Sequence, residues 1–467
     1  MASIVGHAYL LAPATIMTNH EAITTPPAIA ENSSADGWFL VIDAPVSKRR
    51  DVGGSIAPPA KGGSPWFSRP LLGLPVVLRL ALTAQAAGAR SIVLAPCVER
   101  AALKEALGDH RLKIVVRDAD DPALGESRAG ASSIRVPANI VVHRAVLGAV
   151  TARALTDPSG VSANDAAELV FEPGISETHP MWSSARNAAG PYGFAPIAVI
   201  DRASFEAAER ALLRSLRKPQ DGWTSTHLNR PVSLAITRRL VATSLRPNQV
   251  SVAILGVGLL GALLASRGTY ASLVAGAALF HTQSVLDGCD GEMSRLTFRG
   301  SHLGEWLDTI GDDLTNYGFF GGAAFGLYTQ TGRTLYLALG GLTVFCGFVG
   351  SGLEYRYLIK IGSGDLLKYP LGIGKAPGRD EAAASKSGIA KMLDAIAPLF
   401  KRDTFVLLTL LGAVAGAIGP LLAVFAVGAL GVLIAVLKAE ARMAKDRAAR
   451  TGSPGHGPAE RSQRGAR

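Results

Sequence analysis

The chain has 467 residues, of which 48% are hydrophobic, and its mean hydropathy is +0.26. That is high for a purely soluble protein, and the length leaves room for two domains. The net charge of +10 would suit nucleic acid, but Lys and Arg gather at the ends of apolar stretches and in the C-terminal tail. This distribution favours membrane topology and anionic lipid over nucleic acid. The three cysteines, Cys97, Cys289 and Cys346, are scattered, which argues against a disulfide framework or a zinc site.

The N-terminal part of the chain predicts a leader followed by an α/β domain. Residues 1–36 mix Ala, Thr, Pro and Ser and lack the basic start and apolar core of a secretory signal, so we interpret them as a mobile leader. Over 37–218, short apolar runs alternate with amphipathic helical stretches, which is typical of an α/β domain. The predicted elements cover 39–42, 76–87, 91–95, 100–107, 113–116, 139–142, 195–200 and 203–216.

The α/β region resembles the sugar-phosphate nucleotidyltransferase fold, but two of its motifs are missing. After the strand at 39–42 the chain reads Asp43-Ala-Pro-Val-Ser-Lys-Arg-Arg50, where an active member has G-x-G-T-R and then a Lys. His143 and Arg144 follow the predicted strand at 139–142, where the resemblance implies a metal-binding Asp. We therefore expect an inactive nucleotidyltransferase-like domain. The basic run at 48–50 either grips phosphate or is a solvated loop.

Residues 219–246 predict an amphipathic linker. Leu228, Val232, Ala235, Ile236 and Leu240 recur at helical spacing against Arg230, Arg238 and Arg239. A helix with this pattern is expected to lie along the cytoplasmic membrane interface.

Four carboxylates stand in the middle of the apolar C-terminal half, at Asp287, Asp290, Asp308 and Asp312. At the centre of a bilayer each would cost roughly 2.5 to 3.5 kcal/mol, or on the order of 10 kcal/mol together. Bound Mg²⁺ or Mn²⁺ would compensate this cost, because these hard cations prefer carboxylate oxygen and leave positions open for phosphate. The acids therefore predict a site for two divalent cations.

The spacing of the acids predicts that they belong to one site. On helices, the first two acids are three residues apart and the last two are four apart, so each pair shares a face. Two antiparallel helices joined by the short connection Thr297–Ser301 would bring the pairs face to face. Gly288, Gly291 and Gly304 would let helices or a ligand come close, and Arg295 offers a fixed positive charge to a phosphate.

This stretch resembles the CDP-alcohol phosphotransferase family, whose signature is D-x2-D-G-x2-A-R-x8-G-x3-D-x3-D. Ser294 stands where the family usually has Ala, and it is small enough to fit. Arg246-Pro-Asn-Gln-Val-Ser251 is similar to the segment that precedes the family's first span. Together with the preceding nucleotidyltransferase-like domain, this layout is similar to bifunctional inositol-phosphate cytidylyltransferase/di-myo-inositol phosphate phosphate synthases. The signature is matched at Asp287, Asp290, Gly291, Arg295, Gly304, Asp308 and Asp312.

The resemblance implies an activity and a role for each residue. A substituted phosphate would pass from a CDP-alcohol to an acceptor hydroxyl with release of CMP. The four Asp residues would hold the metals, and Asp312 would also act as general base. Gly291, Ser294, Arg295 and Gly304 would bind the CDP part of the donor. A homodimer is usual for the family.

The apolar segments predict a six-helix transmembrane domain over 247–443, with spans near 249–266, 270–293, 303–327, 335–358, 404–418 and 421–438. The turns at Arg267 and Arg333 hold one cation each. The loop 360–402 and the tail from Lys438 hold many, so these parts are expected on the cytoplasmic side of the inner membrane with both termini and the active site. Residues 444–467 predict a disordered basic tail.

The sequence leaves the substrates and several alternatives open. Arg356, Lys360, Lys391 and Arg402 are candidates for binding an anionic acceptor, such as a polyol phosphate, or are inner-leaflet anchors. A lipid donor would make a phospholipid and a polar donor a soluble phosphodiester. The alternatives are a bifunctional enzyme that also makes its CDP-alcohol from CTP, a non-catalytic membrane scaffold, and a cation transporter.

Overall fold

The structure, a computed structural model, describes residues 38–45, 65–121, 132–156, 168–170, 187, 190–218, 221–370 and 401–451. These residues fall into two units. The first contains the described residues up to Ser251 together with Val285–Ser301. The second contains Val252–Ser284 and the described residues from His302 onward. The domain limits drawn from the sequence stay a prediction.

The first unit is built on a parallel sheet, as the sequence predicts for an α/β domain. Five parallel strands follow one another in the order β5, β4, β1, β6, β8, and two short antiparallel pairs, β2 with β3 and β7 with β9, lie outside this sheet. The strands are Trp38–Asp43 (β1), Pro70–Leu71 (β2), Leu74–Pro75 (β3), Ser91–Leu94 (β4), Val115–Asp118 (β5), Ser132–Pro137 (β6), Ile140–Val141 (β7), Glu168–Val170 (β8) and Ile197–Ala198 (β9).

The central strand β1 is apolar on both faces, which explains its unbroken hydrophobic run. Leu40 and Ile42 belong to the main core, whereas Phe39 and Val41 belong to a smaller cluster. A parallel strand covered on both sides shows this pattern in place of simple alternation.

Five α-helices precede residue 247 among the described residues of the first unit. Asp201 and Ser204 form a capping box at the start of the fourth one, with the Ser204 amide donating to the Asp201 carboxylate at 2.7 Å. The helices are Val76–Ala86 (α1), Arg100–Leu107 (α2), Arg144–Thr156 (α3), Arg202–Ser215 (α4) and Arg230–Leu240 (α5).

A strand that the sequence analysis did not predict, β6, pairs with β1, and Leu40 lies opposite Ile134. Of the strand expected at 139–142, Ile140 and Val141 form the short β7, antiparallel to β9. The strand expected at 113–116 is found at Val115–Asp118. His143 and Arg144 follow β7, as the sequence predicts, but β7 lies outside the five-stranded sheet.

The predicted amphipathic helix is present as α5, but one of its arginines lies on the opposite side. Leu228 and Val232 are exposed, as an interfacial apolar face requires. Arg230, which the sequence assigns to the polar surface, is only 7% exposed. Its burial has a specific partner, described below.

The C-terminal half consists of helices among its described residues. Their bounds are Pro247–Ala265 (α6), Tyr270–Thr297 (α7), His302–Thr331 (α8), Thr334–Ile361 (α9), Arg402–Val414 (α10) and Ile418–Thr451 (α11), and the division between the two units falls inside α7. Within the part of the chain that the structure describes, three stretches are long and apolar enough to cross a membrane: Pro247–Ala265, Thr334–Ile361 and Ile418–Asp446. The count of six spans stays a prediction.

Aromatic packing and small residues hold the second unit together. Phe280 and Phe319 stack with ring centroids 4.7 Å apart, and Phe320 lies 4.2 Å from Phe425. Gly268 has a φ of +72°, and a Cβ there would lie 2.0 Å from the Gly326 carbonyl oxygen. Only glycine fits such a close backbone approach.

Candidate functional site

The first acid pair lies on α7, inside the first unit. Asp290 is buried and its Oδ2 accepts a short hydrogen bond from the Ser251 hydroxyl. Its Oδ1 accepts from the Gly291 amide at 2.6 Å. Asp287, three residues earlier, is half-buried. Ser251 thus gives the P-N-Q-V-S segment a direct link to a predicted metal ligand.

Gly291 and Arg295 are neighbours one helical turn apart. A Cβ at Gly291 would lie 3.3 Å from Nη1 of Arg295, so the absence of a side chain leaves room for the guanidinium. Ser294 lies between them in sequence, and its Oγ is 3.5 Å from the Cβ position of Gly300. The three residues predicted to bind CDP on α7 therefore share its last turns.

Glu292, inside the motif, is fully buried and was not singled out by the sequence. Its Oε1 accepts from Nη1 of Arg230 at 2.7 Å and from Ser233 Oγ at 2.8 Å. Its Oε2 accepts from Thr237 Oγ1 at 2.7 Å. All three donors belong to α5, so Glu292 fastens α5 to the motif helix.

Arg230 is also held by a second carboxylate. Its Nε donates to Asp221 Oδ2 at 2.9 Å, and the side chains of Arg230 and Asp221 are 9% and 7% exposed. Burial alone would lower the pKa of Arg230, but Asp221 and Glu292 more than offset this, and the pKa is raised. The guanidinium is therefore fixed in its charged form between two acids.

The second acid pair lies on α8, inside the second unit. Asp308 is exposed and Asp312 is half-buried, one turn apart on the same face, and Gly304 is one turn before Asp308. Nη2 of Arg402 lies 2.8 Å from Oδ1 of Asp312 and 2.7 Å from Oε1 of Gln283. Arg402, a weak acceptor candidate in the sequence, thus contacts the predicted general base.

The other acceptor candidates have different surroundings. Arg356 is 58% exposed at its side chain and donates to Glu440 of α11 at 2.7 Å. Lys360 is exposed one turn further along α9. Lys391 lies outside the described residues. Arg356 and Lys360 share the end of α9, but Arg356 already has a carboxylate partner.

A further acid on α8, Asp313, forms a buried polar cluster that the sequence did not indicate. Asp313 is 4% exposed, and its Oδ2 accepts from Tyr355 Oη at 2.7 Å and from Ser351 Oγ in a short hydrogen bond. Tyr317 Oη and Ser351 Oγ are 2.7 Å apart. A Cβ at Gly347 would lie 2.2 Å from the Tyr317 ring, so this glycine makes room for it. The cluster joins α8 to α9.

The acids suit hard cations by their chemistry, since each pair offers carboxylate oxygens that Mg²⁺ or Mn²⁺ prefers. Within the described residues, no group of three or more His, Cys, Asp or Glu side chains is gathered as a metal site. The fit rests on the donor type and on the sharing of a helix face within each pair.

The α/β region has an ion pair at the end of β1 and a histidine shortly after β7. Asp43, at the end of β1, pairs with Arg135 at 3.1 Å. His143 packs edge-on to Phe194 with centroids 5.4 Å apart, and burial lowers its pKa to about 4, so it is neutral at pH 7. The basic run at 48–50 lies outside the described residues.

Comparison with known proteins gives partial matches. No protein-family model matches this chain. Relatives named bifunctional IPC transferase and DIPP synthase come from Aquifex aeolicus, 35% identical over 123 residues, and Thermococcus kodakarensis, 37% identical over 113 residues. A third, from Archaeoglobus fulgidus, is 32% identical over 135 residues. These matches cover 26%, 24% and 29% of this chain, and the chain spans 28%, 25% and 26% of the respective relatives. The similarity relates part of this chain to enzymes named as transferases and synthases.

Proposed function

We propose that this protein is an integral membrane transferase that moves a substituted phosphate group from a CDP-alcohol to an acceptor hydroxyl and releases CMP. The observation that carries the proposal is the presence of two acid pairs on two consecutive helices. Asp287 and Asp290 lie near the end of α7, and Asp308 and Asp312 lie near the start of α8. The three apolar helices and the similarity to named transferases support it.

The proposed metal ligands are Asp287, Asp290, Asp308 and Asp312. Bound Mg²⁺ or Mn²⁺ would neutralise the phosphate oxygens and the leaving CMP. The Ser251 hydroxyl donates a hydrogen bond to Oδ2 of Asp290 and so orients that side chain. Such hydrogen bonds to a ligating carboxylate tune and orient it.

Donor binding is assigned to Gly291, Ser294, Arg295 and Gly304. The guanidinium of Arg295 folds over Gly291, and it supplies the charge that suits a diphosphate. Small residues at the other positions leave space for the cytidine. The donor's alcohol, whether lipid or polyol, is left to experiment.

Asp312 is the proposed general base on the acceptor hydroxyl. Its carboxylate would take the hydroxyl proton as the oxygen attacks the β-phosphorus, and CMP would leave with the electron pair of the broken P–O bond. Arg402 holds one oxygen of Asp312 and is a cation beside it, so an anionic acceptor group bound by Arg402 would lie next to the base. Arg402, like Arg356, already pairs with a carboxylate, so the choice among the acceptor candidates is left to experiment.

The nucleotidyltransferase-like domain is proposed to be inactive. The names of the relatives favour one alternative, a bifunctional enzyme that also makes the CDP-alcohol. Pyrophosphate release from CTP and a polyol phosphate distinguishes the two, because only the bifunctional enzyme produces it. We further propose an inner-membrane location with a cytosolic site, and a homodimer.

CMP release by the purified protein tests the main proposal. The assay offers CDP-diacylglycerol and CDP-inositol against polyol and polyol-phosphate acceptors, with Mg²⁺ or Mn²⁺ or with chelator. We expect metal-dependent CMP that disappears in Asp312→Asn and persists in Asp446→Asn, a matched change at an exposed acid of α11. Cation binding without CMP from any pair of substrates would instead favour the transporter or scaffold.

A further inference from the structure

The C-terminal end of the motif helix α7 has an unusual cap. The Arg299 amide donates to the Ser294 carbonyl at 3.0 Å, which closes the last turn as in a Schellman motif. The residue at the left-handed position of this cap is Phe298, with a φ of +53°. Glycine is the usual residue there, because a Cβ atom disfavours the left-handed conformation. Something outside the helix must hold this conformation.

Phe298 is held by the core of the α/β domain. Its ring is partly buried and packs against the cluster that contains Leu40, Ile92 and Ile134 of the central strands. Both the helix end and that core belong to the same unit. The contact therefore offsets the strain at Phe298 with apolar burial.

Arg79 of α1 reaches the same helix end. It is 3% exposed, and its Nη1 donates to the Leu296 carbonyl at 2.8 Å. Its Nη2 donates to the carbonyls of Leu71 and Leu72 at 2.7 and 3.0 Å. Burial and the charge of Arg111 lower the pKa of Arg79 to about 9, which leaves it charged at pH 7. The buried guanidinium thus donates hydrogen bonds to three main-chain oxygens, one of which belongs to α7.

Arg111 contacts the next carbonyl along. Its Nη1 donates to the Thr297 carbonyl at 2.9 Å, while Nε and Nη2 bind the Asp109 carboxylate at 2.7 and 2.6 Å. Asp109 keeps the guanidinium in place, and Arg111 lowers the pKa of Asp109 to about 2. The Asp109 carboxylate therefore orients the guanidinium group that contacts the helix end.

The last carbonyls of a helix have no partner within it, and cations are favourable at that end. Here Arg79 and Arg111 of the α/β domain donate hydrogen bonds to two of those carbonyls. The next residue, Phe298, packs against the core of the same domain. We propose that Arg79 and Arg111 are positioning residues that clamp the motif helix, and that this clamp is a function of the α/β domain separate from nucleotide chemistry. The clamp fixes the turn that carries Arg295, and its kinetic consequence rests on the function proposed above.

Protease access tests the clamp without any activity. Arg299 follows the cap, so trypsin can cut after it once the helix end opens. We compare full-length protein in detergent carrying Arg79→Met or Arg111→Met, following that one cut by mass spectrometry. We expect cleavage after Arg299 to become about tenfold faster, since local opening controls access. Arg202→Met is the matched control, because its ion pair with Glu206 is at the surface.

A kinetic measurement separates positioning from general instability. Loosening the turn of Arg295 should raise KM for the CDP donor about tenfold in either Met variant, with KM for the acceptor unchanged. Arg111→Lys should recover part of the loss, since a lysine can still reach one carbonyl. Phe298→Gly, which keeps the left-handed φ without the ring, provides a third variant that is expected to fold.

The outcomes are distinct. Faster cleavage with a selective change in donor KM supports the clamp. The proposal is overturned if the folded Met variants are cleaved at the wild-type rate. It is also overturned if KM rises equally for donor and acceptor and the rise tracks a fall in melting temperature. If the wild type releases no CMP while cleavage after Arg299 still accelerates, the proposed function fails and the mechanical clamp stands.

Discussion

Arg402 and Asp312 form a buried ion pair in which Nη2 lies 2.8 Å from Oδ1, and the arginine is 4% exposed. Arg402 is the first residue of α10, where the helix dipole disfavours a cation, so its position depends on its acidic partner. The pair joins the proposed base to a residue from a different part of the chain.

Replacing Arg402 should impair turnover. Arg402→Met leaves Asp312 without this orienting contact, and we expect kcat for CMP release to fall about 100-fold. Arg402→Lys keeps the charge and one hydrogen bond, so it should lose less. Steady-state CMP assays measure both, with the exposed Arg442→Met as control. Equal activity of Arg402→Met and wild type would exclude a role for this contact.

Replacing Ser251 should weaken metal binding. Ser251→Ala removes the hydroxyl that holds Asp290, and the Mg²⁺ concentration for half-maximal activity should rise about tenfold. Ser251→Thr keeps the hydroxyl and should restore affinity. Isothermal titration with Mn²⁺ checks the effect independently of turnover. An unchanged metal requirement in the alanine variant would contradict the assigned ligand.

Breaking the Glu292 network should destabilise the first unit. Glu292→Ala leaves a buried cavity and three donors on α5 without their acceptor, and such losses cost about 3–5 kcal/mol. Thermal unfolding in detergent should show a clearly lower transition. Glu206→Ala, which removes the exposed partner of Arg202, is the control and should change little. A Glu292→Ala transition equal to wild type would show that the network is not a stabilising link.

His143 should make the α/β domain sensitive to acid. Its folded pKa of about 4 lies below the ordinary 6.5, so the unfolded chain binds more protons between these values and stability falls as pH drops through this window. The loss by pH 5 is about 2 kcal/mol. His143→Asn stays neutral, so the difference in unfolding free energy between pH 7 and pH 5 should be smaller than in wild type. Equal differences would contradict burial of the neutral ring.

The sequence predicted the elements with strong periodicity and missed those whose partners are distant. The central run 39–42 and the motif helices were found because their apolar patterns are long or unbroken. The strand Ser132–Pro137 was missed, because its short run mixes polar and apolar residues. What makes it a strand is its pairing with β1, which no local pattern reveals.

The same limit applies to the site. The spacing predicted that each of the two acid pairs lies on one helix, and α7 and α8 confirm this. The polar face of α5, in contrast, gave no sign that Arg230 is buried against Glu292, 62 residues later. Arg79 and Arg111 bind main-chain oxygens, which have no signature in the side-chain sequence. The expected meeting of the two acid pairs stays a prediction.

The cap at Phe298 also has a consequence for biosynthesis. Arg79 and Arg111 are synthesised 217 and 186 residues before the carbonyls that they bind, and N-terminal domains generally fold first during synthesis. The side chains that bind the helix end are therefore in place when Leu296 and Thr297 emerge from the ribosome. Expression of the helical half alone would deprive α7 of its cap, so the order of the two halves along the chain contributes to the formation of this helix.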